Sequence, residues 1–231
     1  MSELLQINDK GELQEEAIPL FSFPSYLRIP AIIISYIFHP LFLIGLMGWY
    51  IIFHHPTAYI GYDDRTRLWR FLIMCVNGIF FPLVSVLLLR AVGFVKSILL
   101  PTQKDRIVPI VITNIFFFWT FLIFKNFNDS PAIMKAMTLG IFLASSSTIL
   151  LNIYLKISLH AIGTGGLVGL ALVSLYKEPS VISALPLTVA LMIAGFVCTS
   201  RLIASNHRPV EIYLGFITGI VCQFIGWWIM A

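Results

Sequence analysis

The residues of this chain with the greatest chemical potential lie at 200–211, where Ser200 and Arg201 are followed by His207, Pro209 and Glu211. Proline is favoured at the first position of a helix, so Pro209 predicts a helix start with His207 just before it and Glu211 one turn further in. Residues four apart on a helix face one another. Glu211 is thus placed to accept a hydrogen bond from one imidazole nitrogen of His207, which fixes the tautomer and leaves the other nitrogen as a nucleophile. Arg201 offers a planar fork that matches two phosphate oxygens, and a helix N-terminus adds N–H groups that favour an anion. A second stretch, Ser158-Leu159-His160, opens a segment rich in glycine (Gly163, Gly165, Gly166, Gly169). Its serine can donate to a phosphate oxygen, and its imidazole titrates near neutral pH and can protonate a leaving oxygen. Lys104 and Arg106 form a third, cationic stretch. Nucleophile, acid and cations of this kind suit the transfer of a phosphoryl group.

These stretches must be positioned by helices in lipid. Hydrophobic residues make up 58% of the 231 and charged residues only 11%, against about 25% in a soluble domain; the mean hydropathy is +0.91. About 20 apolar residues of helix cross a bilayer core. Charge-poor runs of that length begin at residue 29 and continue into the fifties, then occupy 71–89, 107–124, 136–155, 157–176, 179–200 and 212–231. The fold class expected is therefore all-α, a polytopic membrane helix bundle with six or seven transmembrane helices. The run at 107–124 is the shortest and could be re-entrant, and Lys156 alone separates the fourth run from the fifth. Residues 1–28 read as a polar, acidic N-terminal tail and 29–231 as one membrane-embedded domain. Pro30 suits the first turn of the first span, while Pro40 and Pro82 predict kinks. Continuous apolar runs exclude a β-barrel, whose strands alternate. The net charge of +4, without a basic stripe, argues against a nucleic-acid partner.

With seven crossings, an even number of spans separates each chemical stretch from the next, so Lys104 and Arg106, Ser158 and His160, and Arg201, His207 and Glu211 all fall at one membrane face. Other polar residues have plainer readings. Arg65, Arg67, Arg70, Lys125, Lys135 and Lys177 mark interfaces, and Lys156 leans the same way. His39 is read as a packed interior histidine and the His54-His55 pair as an interface feature. Cys75, Cys198 and Cys222 sit within apolar runs, without a CxxC, as inert thiols. No cofactor and no metal site is expected.

The pattern Ser200-Arg201, His207, Glu211, with Gly215-Phe216 beyond it, resembles the third motif of the type 2 phosphatidic acid phosphatase superfamily, which includes lipid phosphatases and vanadium haloperoxidases. That motif is usually written SRxxxxxHxxxD, and Glu211 stands here for the aspartate. The family's second motif, PSGH, is similar to 157–160, where Ser158 and His160 are kept. The first motif, KxxxxxxRP, matches poorly around Lys104, Arg106 and Pro109. The resemblance centres on 104–219, within a phosphatase-like core of about 96–220. It implies a metal-independent hydrolase acting on a lipid phosphate or diphosphate, either an isoprenoid diphosphate or a glycerolipid phosphate, through a phosphohistidine at His207. Glu211 would stabilise the charged ring, Arg201, Arg106, Lys104 and Ser158 would hold the phosphate oxygens, and His160 would serve as acid and then base.

The partners implied are the bilayer and a lipid-linked phosphate. Outside the site, Arg65, Arg67, Arg70, Lys125, Lys135 and Lys177 on one face outnumber Lys10, Arg28, Arg90 and Lys96 on the other. The positive-inside tendency then puts the active face outside the cytoplasm, in a bacterial inner (plasma) membrane. A non-catalytic relative and a small anion or lipid transporter are the competing expectations.

Overall fold

The computed structural model describes residues 4–7, 13–16, 23–94, 103–205 and 207–231, without the side chains of 4–7, 13–16, 103–105 and 181–183. In the N-terminal segment two short strands, β1 (Leu4–Ile7) and β2 (Leu13–Glu16), pair antiparallel. The described remainder is helical: α1 (Ser25–Ile37), α2 (Pro40–Trp49), α3 (Asp64–Cys75), α4 (Phe81–Ala91), α5 (Gln103–Asn126), α6 (Ala132–Tyr154), α7 (Leu159–Lys177), α8 (Val181–Ala204) and α9 (Pro209–Met230). Six of the described helical stretches are long and apolar enough to cross a membrane. A further pair, Ser25–Ile37 with Pro40–His54, is bent by 51° and brings the number to seven if it forms one span. The chain is a multi-pass membrane protein with an all-helical membrane domain.

Local sequence accounts for the breaks. Proline lacks the N–H that a helix interior requires and its ring crowds the carbonyl four residues back. At Pro40 the chain stops α1 at Ile37 and restarts, with Pro40 as the first residue of α2 and His39 as its N-cap. At Pro82 the helix is instead loosened beforehand by a π turn over Val76–Phe80, which contains Gly78, the residue whose carbonyl the ring would meet. A second π turn, Tyr50–His54, closes α2. Pro30 lies inside α1, because the helix starts earlier than the apolar run, at Ser25 after Pro24. The run at 107–124 is no short re-entrant segment: α5 spans 24 residues from Gln103 to Asn126.

Helix α7 is the centre of the bundle, and it carries the glycines. A Cβ on Gly165 would sit 2.0 Å from the backbone oxygen of Phe216, and one on Gly219 would sit 2.2 Å from that of Ile162. Backbones of α7 and α9 therefore touch directly, the close approach that small residues permit between membrane helices. Gly226 lets α9 approach α6 in the same way, against the backbone oxygen of Ala136. Around this seam Leu43, Ile51, Met74, Phe124, Met134, Met137, Leu170 and Val197 are buried. Large apolar side chains elsewhere face outward, among them Trp119, Tyr154, Phe196 and Trp228, as expected where the surrounding solvent is lipid.

Two polar ends result. At one, Arg70 pairs with both carboxylate oxygens of Asp129 at 2.7 and 2.8 Å and lies over the Phe127 ring. There Tyr62 donates to the Asp129 carbonyl and Thr57 to Glu178. The other end holds the chemical stretches.

Candidate functional site

Helix α9 begins as its sequence demands, with Pro209 in the first turn and His207 immediately outside. His207 Nδ1 donates to Glu211 Oε2 across 3.0 Å, and the same carboxylate oxygen accepts the backbone N–H of Arg208 at 3.1 Å. Glu211 thus caps the helix and fixes the His207 tautomer together, leaving Nε2 with its lone pair. His207 is only 4% exposed and Glu211 7%. Burial is the main influence on the His207 ring and disfavours its charged form; the Glu211 bond opposes this, and the fields of Arg106 and Arg201 add to it. Its pKa lies below the ordinary imidazole value, so the ring is neutral at pH 7.

Two guanidinium groups converge on this histidine from different helices. Arg201, at the end of α8, and Arg106, at the start of α5, lie within each other's fields, and both act on His207. Arg106 is buried and donates from Nη1 to the Ile157 carbonyl at 3.4 Å. Arg201 keeps a buried Nε–H that meets no hydrogen-bond partner among the described residues. Buried donors are nearly always satisfied, and this one has no acceptor among the described residues. Lys156 joins them: it is half-buried, and burial first, then Arg106, push its ammonium below the usual lysine range.

The segment between α6 and α7 supplies the second half. Ser158 is fully buried and is the N-cap of α7, its hydroxyl accepting the N–H of Ala161 at 3.4 Å. Its own backbone N–H donates to the Glu211 carbonyl at 3.3 Å, which ties the two stretches together. The Ser158 proton is still available for donation. His160, in the first turn of α7, has Nε2 3.0 Å from the Ser35 carbonyl. A carbonyl only accepts, so Nε2 carries the hydrogen and Nδ1 is the nitrogen left for chemistry. Arg201 and His207 both act electrostatically on His160.

The structure brings Arg106, Ser158, His160, Arg201, His207 and Glu211 to one end of the bundle, as the parity of the crossings requires. Lys104 lies in the first turn of α5, and its side chain falls outside the described residues. Two further residues lie beside these. Lys156, for which the sequence leaned to an interface marker over a phosphate ligand, lies within the fields of Arg106, Glu211 and Arg201. His39 stacks edge-on against His160, with ring centroids 5.5 Å apart and planes at 84°, while its Nδ1 accepts the N–H of Leu41 at 3.4 Å. The His39-Pro40 pair is a helix-start signal of the same form as 207–209, and that parallel was the available clue.

Comparison with known proteins gave no family model, no curated protein and no solved structure that matches the chain.

Proposed function

We propose that the protein is a membrane-embedded phosphatase that hydrolyses a lipid phosphate or diphosphate without a metal. The observation that carries the reading is the buried His207–Glu211 pair facing Arg201, whose Nε–H lacks a partner among the described residues, with Arg106 alongside. Two guanidinium groups and Lys156 against one carboxylate leave a net positive site, suited to a dianionic headgroup.

In this mechanism His207 Nε2 attacks phosphorus in line. The P–N bond forms as the P–O bond to the lipid breaks, and the lipid oxygen takes the Nδ1 proton of His160, which enters this step as the imidazolium with its Nε2–H still on the Ser35 carbonyl. Glu211 stabilises the ring while it bears positive charge. Arg201, Arg106 and Ser158 bind the equatorial oxygens, where charge on a transferring phosphoryl group concentrates. A water then attacks phosphorus, His160 accepts its proton, the P–N bond breaks, and phosphate leaves. Likeness of the 200–211 stretch to the type 2 phosphatidic acid phosphatase motif supports the same chemistry. The excess of basic residues around Arg65–Arg70, Lys125, Lys135 and Lys177 supports a cytoplasmic position for the opposite end, and so an active face outside the cytoplasm.

The decisive measurement is phosphate release from lipid phosphates by the detergent-solubilised protein, without added metal and with vanadate as inhibitor. Wild-type turnover that vanadate blocks and His207→Ala abolishes is expected. Full activity in His207→Ala would end the mechanism, and substrate flux in liposomes without hydrolysis would make the protein a transporter.

A further inference from the structure

At the end of the bundle away from His207, buried hydrogen-bond donors are left over. Arg70 serves both oxygens of Asp129 through one nitrogen, Nη2, so the other prong of its fork, Nη1, is buried with no partner among the described residues. Arg67, one turn earlier on α3, donates from Nη2 to the Tyr59 carbonyl at 2.8 Å, and its Nε–H is buried and unmet in the same way. Tyr59 itself is only 2% exposed. Its hydroxyl lies beside the Ser130 side chain, in the fields of Arg70 and Asp129, yet neither hydroxyl has a hydrogen-bond partner among the described residues. Turning one onto the other would spend one proton and leave the second. Burial is the main influence on the Tyr59 phenol and pushes its pKa up to about 12, so it remains a donor at physiological pH. Ser130 precedes Pro131, the N-cap of α6, which gives the first turn no side-chain bond. The N–H groups of that turn add a positive pole at the same place.

We propose that this end holds a second, non-catalytic oxyanion site, built from Tyr59, Arg67, Arg70, Ser130 and the α6 N-terminus, that takes a singly charged phosphate group. The site is independent of the phosphatase reading. Its unmet groups are all donors, and buried donors nearly always find acceptors; a phosphate offers several oxygens at once and matches the arginine fork. The charge agrees: two guanidinium groups against the Asp129 carboxylate leave one positive charge, while Asp63 is spent on Thr66 and Asp64 is exposed. Asp129 provides the way in. Its side chain is 49% exposed against 11% for Arg70, so the carboxylate can swing into water and yield the guanidinium to a phosphate that also engages Nη1. Leu68 and Trp69, beside Arg70, are exposed, and an exposed tryptophan next to arginine belongs at the level of lipid headgroups. The phosphodiester of an anionic phospholipid in that leaflet has the right charge and depth, and a soluble phosphate shares its chemistry.

Thermal unfolding of the full-length protein in detergent, titrated with dioleoyl phosphatidylglycerol, dioleoyl phosphatidylcholine or sodium phosphate, tests the site. Phosphatidylglycerol should raise the wild-type Tm more than phosphatidylcholine, whose choline cation offsets its phosphate. Tyr59→Phe removes one hydroxyl and no volume. Without ligand its Tm should equal or exceed that of wild type, because a buried, unmet donor has gone. Its apparent affinity for phosphatidylglycerol should fall about 10- to 100-fold, the loss of one hydrogen bond to a charged group. Ser130→Ala should behave alike and serves if Tyr59→Phe misfolds, and Arg201→Lys, altered at the other end, should keep the full shift. A shift that sodium phosphate reproduces and Tyr59→Phe weakens would support the site and make its ligand a soluble oxyanion; a shift confined to phosphatidylglycerol would make it a lipid headgroup. Three results would overturn the proposal: no shift in wild type with either anion, a shift that both Tyr59→Phe and Ser130→Ala retain, or a shift lost in Arg201→Lys. A ligand-free Tm lowered in both hydroxyl variants would do the same, since the hydroxyls would then be spent within the protein.

Discussion

Glu211→Gln is the substitution that best isolates the role of the His207–Glu211 pair. It keeps the size and one acceptor oxygen, so the Arg208 N–H that Glu211 caps at 3.1 Å retains a partner and α9 should still begin at Pro209. What disappears is the negative charge 3.0 Å from His207 Nδ1, in a site where both residues are buried. A hydrogen bond to a charged group contributes about 1.5–3 kcal/mol, and on the proposed mechanism the bond strengthens only once the ring carries phosphorus and becomes cationic. At about 1.36 kcal/mol per tenfold, turnover should fall by about 12- to 160-fold, with KM nearly unchanged. The pH profile gives a second reading. On the proposed mechanism His207 attacks in its neutral form, so kcat/KM should rise with pH through its lowered pKa. Glu211 holds that pKa up against burial and the two arginines. In Glu211→Gln the acid limb should therefore move to still lower pH. Initial rates of phosphate release from pH 4 to 9 would measure both effects. Turnover within twofold of wild type, or an acid limb moved to higher pH, would refute the reasoning.

Arg201→Lys keeps the charge and removes the planar fork with its unpartnered Nε–H. It should lower kcat/KM by about 10²–10³-fold and weaken inhibition by vanadate, read in the same assay. His39→Asn preserves an acceptor for the Leu41 N–H but removes the ring against His160. It should purify like wild type while turnover falls by up to about 100-fold, the cost of a displaced catalytic group; unchanged turnover would make His39 a cap alone. Gly165→Ala and Gly219→Ala force a methyl to within 2.0 and 2.2 Å of backbone oxygens, whereas Gly195→Ala meets nothing within 4 Å. The first two should destabilise by about 1–3 kcal/mol or more and the third should be silent, as thermal unfolding in detergent would show. Single cysteines at Asp129 and Arg208, probed in intact cells with a membrane-impermeant maleimide, should react at 208 only; labelling at 129 alone would invert the proposed orientation.

The spans were legible because lipid imposes a simple rule on composition. A helix must keep charge out of about 20 residues, and the boundary at Lys156 survived even though one residue marked it. The stretch at 200–211 was legible because Pro209 and the four-residue spacing of His207 and Glu211 follow from helix geometry alone. Other features depend on packing between distant segments. His39 reaches His160 only because the chain breaks at Pro40 and α1 lays Ser35 beside α7, and no local spacing encodes that. Lys156 looked like an interface marker because its neighbours in sequence are apolar, while its neighbours in space are Arg106, Arg201 and Glu211. A cavity between α2, α4, α5, α6, α7 and α9, bordered by His39 and Gln223, was invisible for a related reason: six helices wall it, and its apolar residues look like any lipid-facing stretch.

The glycine contacts between α7 and α9 have a mechanical consequence. Ser158 and His160 sit at the head of one helix and His207 and Glu211 at the head of the other, and Gly215 brings a backbone within 3.0 Å of the Ser158 oxygen, measured to a Cβ built on the glycine. Few side chains separate the two helices, chiefly Ala161, Ile162 and Gln223, and at Gly165 and Gly219 backbone meets backbone, so the pair acts as a gauge block that sets the spacing of the two histidines. The bent α1–α2 pair and the π turn leading into α4 lie outside this seam and hold none of the proposed phosphate-binding groups. On the proposed mechanism, the heads of the two helices would keep both histidines in register from the first half of the reaction to the second.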